Sequence, residues 1–305
     1  MSAPDISVKL CGHTLKNPVM PASGTFGFGY EMARWYPLDV LGGMALKGTT
    51  REARFGNPTP RIAECEAGML NAIGLANPGV DAVVKTELPR LRRFYKGVVL
   101  ANISGFSIEE YVHVAQKFDE AAEVDILEIN ISCPNVHAGG MAFGTCAGDA
   151  AAVCTAVKKA VKKPVLMKLS PNVTDIVPIA KACQDAGADG LILINTLLGL
   201  RLSPKTGRPI VSTGACGFSG PAVKPVALRM VWQVCAAVSI PVVGVGGIAT
   251  AADVLEFIAA GATAVQVGAQ NLKDPFACPK IIEELPLLME KTGISTLDEW
   301  KGRAL

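Results

Sequence analysis

One of the nine cysteines, Cys133, stands in the sequence NISCPN at 130–135, directly after a short apolar run. A thiolate is a strong nucleophile and a usable base, and a position just past a strand would turn it toward the mouth of a parallel sheet. Most cysteines are buried and unreactive, so residue type alone does not favour catalysis. The position of Cys133 and its neighbours make it the candidate for reaction chemistry.

Two lysines, Lys47 and Lys168, close strongly apolar runs. A lysine usually extends its ammonium to solvent. At a strand end inside a barrel, the same ammonium can instead pair with a ligand carboxylate or stabilise negative charge on a reduced cofactor. A Schiff-base lysine of an aldolase is the competing use, and the residues leave it open.

Four asparagines, Asn71, Asn130, Asn135 and Asn195, accompany these residues. Each amide offers an acceptor and two donors, which suits a planar ring carrying alternating N–H and C=O groups. Asparagine is also a common turn residue, which would explain Asn71 and Asn135 in loops. That explanation is weaker for Asn130 and Asn195, which follow predicted strands.

Glycines follow the last two predicted strands, in VGVGGI at 243–248 and QVGA at 266–269. Glycine allows backbone N–H groups to approach a phosphate, and barrel enzymes commonly bind phosphate after strands seven and eight. The pattern predicts a phosphate cradle without selecting its ligand.

Eight short apolar, β-branched runs alternate with helix-compatible stretches, which predicts a (β/α)8 TIM barrel in one domain spanning residues 1–305. The predicted strands are Val19–Ala22, Leu41–Leu46, Val98–Ile103, Ile126–Ile131, Val165–Leu169, Leu191–Ile194, Val242–Val245 and Ala264–Val267. The predicted helices are Ile108–Glu123, Ala150–Lys162, Ile176–Ala186, Ala222–Val238 and Ala251–Ala260.

Three further segments complete the predicted architecture. Ile6–Leu10 and His13–Leu15 flank Cys11-Gly12 as an N-terminal hairpin that would cover the bottom of the barrel. Thr50–Asp81 and Thr196–Gly220 are long irregular loops at the carboxyl ends of strands two and six. Barrel enzymes place their sites on this face, and long loops in a compact domain are usually functional.

Composition limits the classes of partner. The net charge of +2 carries no block of Lys or Arg, so neither nucleic acid nor an anionic membrane is indicated. No secretory signal, no apolar run of about 18 residues and no CxxC pair is present, which predicts a cytoplasmic protein with reduced thiols and no metal site.

Longer motifs connect these residues to a known family. They are PASGTFGFG at 21–29, GNP at 56–58, NAIGL at 71–75, NISCPN at 130–135, KLSPNVTDI at 168–176 and SGPA at 219–222. Together they closely resemble class 1 dihydroorotate dehydrogenase, from about residue 6 to residue 297. The resemblance implies a flavin enzyme of pyrimidine (UMP) biosynthesis that oxidises dihydroorotate to orotate, with Cys133 as the base and FMN as the hydride acceptor.

The resemblance also implies two sets of binding residues by motif position. FMN would be held by Ser23, Lys47, Gly48, Asn102, Asn130, Lys168, Ile194, Gly220, Gly246, Gly247, Gly268 and Ala269. Orotate would be surrounded by Lys47, Asn71, Ala72, Ile73, Gly74, Leu75, Asn130, Asn135, Asn195 and Thr196.

TFGFG at 25–29 and GLANPG at 74–79 resemble the NAD-linked 1B type more than the fumarate-linked 1A type. Members of the 1B type use a second subunit carrying FAD and a 2Fe-2S cluster, which implies a heterotetramer around a homodimer of this chain. The alternatives are the 1A type and a dihydropyrimidine dehydrogenase-like FMN barrel.

Three positions depart from the family pattern. Ala269 replaces a small hydroxyl residue in the phosphate turn, Cys146 stands where an acidic residue is common, and Cys216 begins a Cys-Gly-Phe sequence in place of Gly-Gly-Leu. A backbone N–H at 269 can still bind phosphate, so only one side-chain contact is affected.

Overall fold

The structure is a computed structural model that describes residues 4–131 and 140–305. Its strands are β1 (Val8–Leu10), β2 (His13–Leu15), β3 (Val19–Pro21), β4 (Gly43–Ala45), β5 (Ile62–Cys65), β6 (Gly68–Asn71), β7 (Val98–Ile103), β8 (Ile126–Asn130), β9 (Val165–Lys168), β10 (Gly190–Leu193), β11 (Leu197–Gly199), β12 (Cys216–Ser219), β13 (Val242–Val245) and β14 (Ala264–Val267). Its helices are α1 (Val80–Ala82), α2 (Leu88–Leu91), α3 (Ile108–Glu120), α4 (Gly140–Thr145), α5 (Ala147–Ala160), α6 (Val177–Asp185), α7 (Lys224–Cys235), α8 (Ala251–Ala259), α9 (Gln270–Lys273), α10 (Ala277–Thr292) and α11 (Leu297–Trp300).

Eight parallel strands form the barrel, in the order β3-β14-β13-β10-β9-β8-β7-β4. The two ends of this ladder meet where the N–H of Gly42 donates to the carbonyl of Val19 at 3.0 Å. All eight predicted strands are present, and the predicted (β/α)8 barrel is confirmed. Strands covered on both faces need continuous apolar sequence, which is why these runs were recognisable.

The five predicted helices are also present, with ends shifted by a few residues. Local signals account for their starts: the Ser107 side chain caps α3 by accepting from the N–H of Glu110, and Thr250 forms a capping box with Asp253 on α8. Pro178 and Pro225 lie in the first turns of α6 and α7, where the missing N–H costs little.

The N-terminal hairpin lies at the bottom of the barrel, as predicted. β1 pairs with β2 in antiparallel register, and Leu10 and Leu15 are fully buried. The Cys11 thiol contacts the carbonyl of Asp189 at 3.4 Å, and Asp189 directly precedes β10. The hairpin therefore covers the amino ends of the strands, opposite the face that carries the candidate site.

The expectation of two irregular loops was wrong. Parts of Thr50–Asp81 and Thr196–Gly220 pair with each other in a four-stranded antiparallel sheet, β11-β12-β6-β5, called the small sheet below. The small sheet has its own apolar core, formed by Leu70, Ala72, Val211 and Cys216. Strands of three or four residues with few buried positions give a weak pattern, and their pairing joins segments that are far apart in the chain.

Other elements were not anticipated, including α10 and the helical segment 80–91. In the latter a π-helical turn, Val83–Glu87, separates α1 from α2. Helix α10 ends at Gly293, whose φ of 72° is the left-handed conformation that glycine adopts readily. Throughout the described residues, every helix is too short or too polar to cross a membrane.

Candidate active site

A cavity that is partly open to solvent lies at the carboxyl ends of the barrel strands. Each barrel strand, or one of the two residues after it, contributes to its wall, and the small sheet borders it on the outer side. The contributors from the barrel are Ala22, Lys47, Asn102, Asn130, Lys168, Ile194, Val245 and Gly268. This is the position at which barrel enzymes hold their ligands.

Beneath the cavity, four polar side chains meet inside the barrel; they are called the Glu128 cluster. Glu128 is fully buried on β8 and accepts from the Lys168 ammonium at 2.9 Å. It also accepts from the amides of Asn102 at 2.7 Å and Gln266 at 2.8 Å. A buried carboxylate is tolerated only with such partners, so the cluster satisfies the charge within the barrel.

Two of the predicted asparagines are hydrogen-bonded to each other across the cavity wall. The Asn195 amide donates to Oδ1 of Asn130 at 3.0 Å, and the Asn130 amide donates to the Ser104 hydroxyl at 3.2 Å. The backbone N–H of Thr196 donates to Oδ1 of Asn195 at 2.8 Å. These contacts fix the orientation of both amides.

The segment 71–75, predicted to contact the substrate, is held by two asparagines outside it. Asn57 donates from its amide to the carbonyl of Ala72 at 2.9 Å. Asn77 donates to the carbonyl of Leu75 at 2.7 Å and to the Thr50 hydroxyl at 2.8 Å. The segment is therefore fixed in place by side-chain bonds to its backbone, as is usual for asparagine in loops.

The glycines after β13 allow a close approach to the start of α7. Gly246 has φ 132° and Gly247 has φ 74°. A Cβ at 247 would lie 2.7 Å from the backbone nitrogen of Lys224, so a side chain there is excluded by contact as well as by φ. After β14, a Cβ at Gly268 would have no neighbour nearer than 3.9 Å, which leaves backbone open to the cavity.

An ion pair joins α7 to α8 beside this turn. The Lys224 ammonium lies 2.6 Å from Oδ1 of Asp253 and 3.0 Å from Oε1 of Glu256. Burial acts to raise the pKa of Asp253, but hydrogen bonds from Lys224, the N–H of Ala249 and Thr250 outweigh it and leave that pKa below its ordinary value. The pair holds the helix starts that flank the glycine turn.

The structure brings most of the predicted site residues to one cavity. Every residue predicted to hold FMN lines it, as do Lys47, Asn71, Ile73, Gly74, Leu75, Asn130, Asn195 and Thr196 from the substrate set. Ala72 does not: alternation along β6 turns Met69 and Asn71 toward the cavity, whereas Leu70 and Ala72 enter the core of the small sheet. Cys133 and Asn135 lie outside the described residues.

Sequence reasoning missed several residues that organise the site, namely Asn57, Asn77, Glu128, Asn172 and Gln266. Asn172 donates to the carbonyl of Thr196 at 3.0 Å and accepts from the N–H of Leu198. The available signal for Glu128 was its charge within an apolar strand, since a carboxylate is almost never fully buried without a partner. Among the departures, Ala269 lines the cavity, whereas Cys216 is buried in the small sheet and Cys146 is exposed.

Comparison with known proteins adds independent findings. The family model for dihydroorotate dehydrogenase matches residues 5–289. The dihydroorotate dehydrogenase B (NAD(+)) catalytic subunit of Geobacillus kaustophilus (strain HTA426) is 58% identical over 299 residues, which cover 98% of this chain and 95% of that protein. The proteins of the same name from Bacillus caldolyticus and Bacillus pumilus (strain SAFR-032) are 57% and 55% identical, with 98% of this chain covered and 95% and 96% of theirs.

Proposed function

This chain belongs to the dihydroorotate dehydrogenase family, and we propose that it oxidises dihydroorotate to orotate in pyrimidine biosynthesis with FMN bound in the cavity. The observation that carries the proposal is the convergence of Lys47, Lys168 and the asparagines on one cavity formed by all eight barrel strands. That set offers cations for a carboxylate and a reduced flavin, and amides for planar rings.

The cavity wall fits a flavin. Oδ1 of Asn102 is buried and has no hydrogen-bond partner among the described residues, so it is available to a ring N–H. Lys168 places an ammonium at the same wall, where it would stabilise negative charge on a reduced ring. The glycine turns at 246–247 and 268 would receive the phosphate through backbone N–H groups. FMN, when bound, would supply a two-electron acceptor for hydride.

Substrate recognition is assigned to Lys47 and the segment 71–75. Lys47 follows β4 and lies near Gly24, where a Cβ would be 3.9 Å from its ammonium. We assign Lys47 to the carboxylate of dihydroorotate, and the amides of Asn71, Asn130 and Asn195 to the ring N–H and C=O groups. Asn57 and Asn77 hold the segment from outside.

The proposed chemistry removes one proton and one hydride from the substrate. Cys133, as a thiolate, would take the proton from C5, and loss of the hydride from C6 would leave a C5=C6 double bond and give orotate. Bound FMN would supply the hydride acceptor. Serine is a far weaker base than a thiolate, so Cys133→Ser is expected to retain FMN and orotate binding but slow flavin reduction about 100-fold or more at neutral pH. An unchanged rate in rapid mixing would contradict the assignment.

For the electron acceptor we propose NAD, reached through a partner subunit that carries FAD and a 2Fe-2S cluster, with this chain as the homodimer at the centre of a heterotetramer. The support is that the relatives are named as NAD(+)-linked catalytic subunits, a name that implies a second subunit. The partner's cofactors, the assembly and the cytoplasmic location expected from the sequence belong to the proposal.

Anaerobic mixing of the flavin-loaded chain with dihydroorotate tests the central reaction. Loss of the oxidised flavin absorbance is expected with dihydroorotate and not with dihydrouracil. Steady-state assays with NAD or fumarate, each with and without the candidate partner, then test the acceptor. Fast fumarate turnover by the chain alone, with no stimulation of NAD turnover, would place the protein with the 1A type, and a chain that binds no flavin would overturn the proposal as a whole.

A further inference from the structure

The geometry points to Glu128 as a positioning residue that decides which hydrogen-bonding atoms the barrel presents to the flavin ring. The inference rests on the proposed binding of FMN in the cavity. It concerns a residue that the cavity wall does not include, since Glu128 lies beneath the wall and acts through Asn102 and Lys168.

The Glu128 carboxylate determines which groups its neighbours present to it. An ionised carboxylate only accepts hydrogen bonds, so any amide beside it must present its NH2 group. Oε1 of Glu128 accepts from Asn102 and Lys168, and Oε2 accepts from Gln266. The donors come from β7, β9 and β14, so one side chain on β8 orders residues from three other strands.

The contact with Glu128 orients the Asn102 amide. Because its NH2 is engaged by Glu128, its Oδ1 must point elsewhere, and this oxygen is buried without a partner among the described residues. Position 48 keeps the oxygen accessible, since a Cβ there would lie 2.8 Å from it and only glycine avoids that contact. An unsatisfied buried acceptor is destabilising, and a ligand donor removes that penalty.

Oxidised FMN has a single ring N–H, on N3. Glu128 therefore selects a ligand that donates at Asn102, and it also holds the Lys168 ammonium at 2.9 Å while offsetting its charge. Glu128 thus has two separate effects: it orients the Asn102 amide, and it places a negative charge beside Lys168. Different substitutions separate the two.

Glu128→Gln separates the two effects. Lys168 has no acceptor atom to offer, so the new side chain is expected to keep its oxygen toward Lys168 and Asn102 and to turn its NH2 toward Gln266. Gln266 can reverse its own amide to accept, because its Oε1 is also buried without a partner in the described part of the chain. Asn102 then keeps its orientation, while the negative charge is lost. Glu128→Met provides no acceptor and releases Asn102.

The test measures the affinity of the apoprotein for FMN and for 3-methyl-FMN, together with the midpoint potential of bound FMN. The wild type is expected to bind FMN about tenfold or more tightly than the methylated flavin, which corresponds to one lost hydrogen bond to a buried acceptor. Glu128→Gln should keep that ratio within about threefold and shift the potential to a more positive value, because a cation without its counter-charge favours the anionic reduced ring. Folded Glu128→Met should lose the preference.

Asp125→Asn is the matched control. Asp125 also pairs with a cation, Arg92 at 2.9 Å, but it precedes β8 at the other end of the barrel, so both readouts should stay at wild-type values. A wild type that binds both flavins equally, or a Glu128→Gln protein with unchanged potential, would overturn the inference even if Glu128→Met fails to fold. A wild type that binds neither flavin would instead overturn the proposed function.

Discussion

The Glu128 cluster and the small sheet border the same cavity but are stabilised in different ways. The cluster joins residues of four barrel strands around one buried carboxylate, and its members have little freedom to move apart. The small sheet has a core of four buried residues, and the neighbouring segment 71–75 is held by hydrogen bonds from Asn57 and Asn77. Under the proposed function, the barrel side would hold the flavin through residues joined by one buried carboxylate, whereas the outer side would hold the substrate through a segment fixed by separate hydrogen bonds to its backbone.

Lys168→Met gives the largest expected effect, because it leaves the Glu128 carboxylate buried without its cation. Both side chains are almost inaccessible, at 6% and 0% exposure, so solvent cannot replace the lost partner. Removing one member of a buried pair costs about 3–5 kcal/mol, and we expect a loss of that size in the free energy of unfolding measured with urea. The double variant Glu128→Met/Lys168→Met should recover part of the loss. If Lys168→Met and the wild type are equally stable, the buried ion pair does not stabilise the Glu128 cluster, and the comparison drawn above is wrong.

Asn77→Ala tests the outer side and should have a smaller, more local effect. It removes the bonds that Asn77 donates to Leu75 and Thr50 and those that it accepts from the N–H groups of Thr50 and Gly79. We expect a stability loss of about 1–3 kcal/mol and a several-fold weaker binding of orotate, with FMN affinity unchanged.

Asn17→Ala is the matched control for Asn77→Ala. Asn17 is also buried and also bonds to backbone, donating to the carbonyl of Val40 and accepting from the N–H of Val19, but it lies at the bottom of the barrel. The Asn17→Ala protein should lose a comparable amount of unfolding free energy, and its affinity for orotate should not change. A parallel loss of FMN and orotate affinity in Asn77→Ala would show that the two sides are not independent.

The smallest expected effect concerns the ion pair of Lys224, which is partly buried, and Asp253, which is buried. The pKa of Asp253 is lowered in the folded protein, so its contribution to stability is present above the ordinary value of 3.8 and is lost as the pH falls through the lower folded-state value. Asp253→Asn should therefore lose some stability at neutral pH, and its unfolding free energy should fall less steeply than that of the wild type below pH 4. If the unfolding free energies of the two proteins fall in parallel with pH, the acid sensitivity belongs to other carboxylates.

The two regions also differ in how much of them the sequence predicts. The barrel strands are continuous apolar runs, and their end residues, such as Lys47 and Asn130, could be placed on one face from topology alone. The small sheet was missed because its strands are short and because its two halves are joined by the pairing of β6 with β12, which are more than a hundred residues apart. The side-chain direction of Ala72 could not be predicted for the same reason, since only the register of β6 shows which side chains face the cavity.

Glu128 illustrates a different limit. Its burial could be suspected from an acidic residue in an apolar strand, but its partners Asn102, Lys168 and Gln266 come from strands with no common sequence pattern. Strand order gives the neighbours on β7 and β9, whereas Gln266 reaches across the barrel from β14. Such a contact depends on the width of the barrel and on side-chain length, which a linear pattern does not contain.

The contribution of every barrel strand to one cavity has a consequence for the energetics of unfolding. A ligand bound by all eight strand ends loses contacts when any one of them separates, so its binding free energy opposes local opening anywhere around the ring. By mass action, a ligand at 100 times its dissociation constant adds about 2.7 kcal/mol to the stability of the native state. The flavin would then stabilise the whole barrel to an extent that depends on its concentration. The melting temperature of the protein would report the fraction of chains that hold flavin.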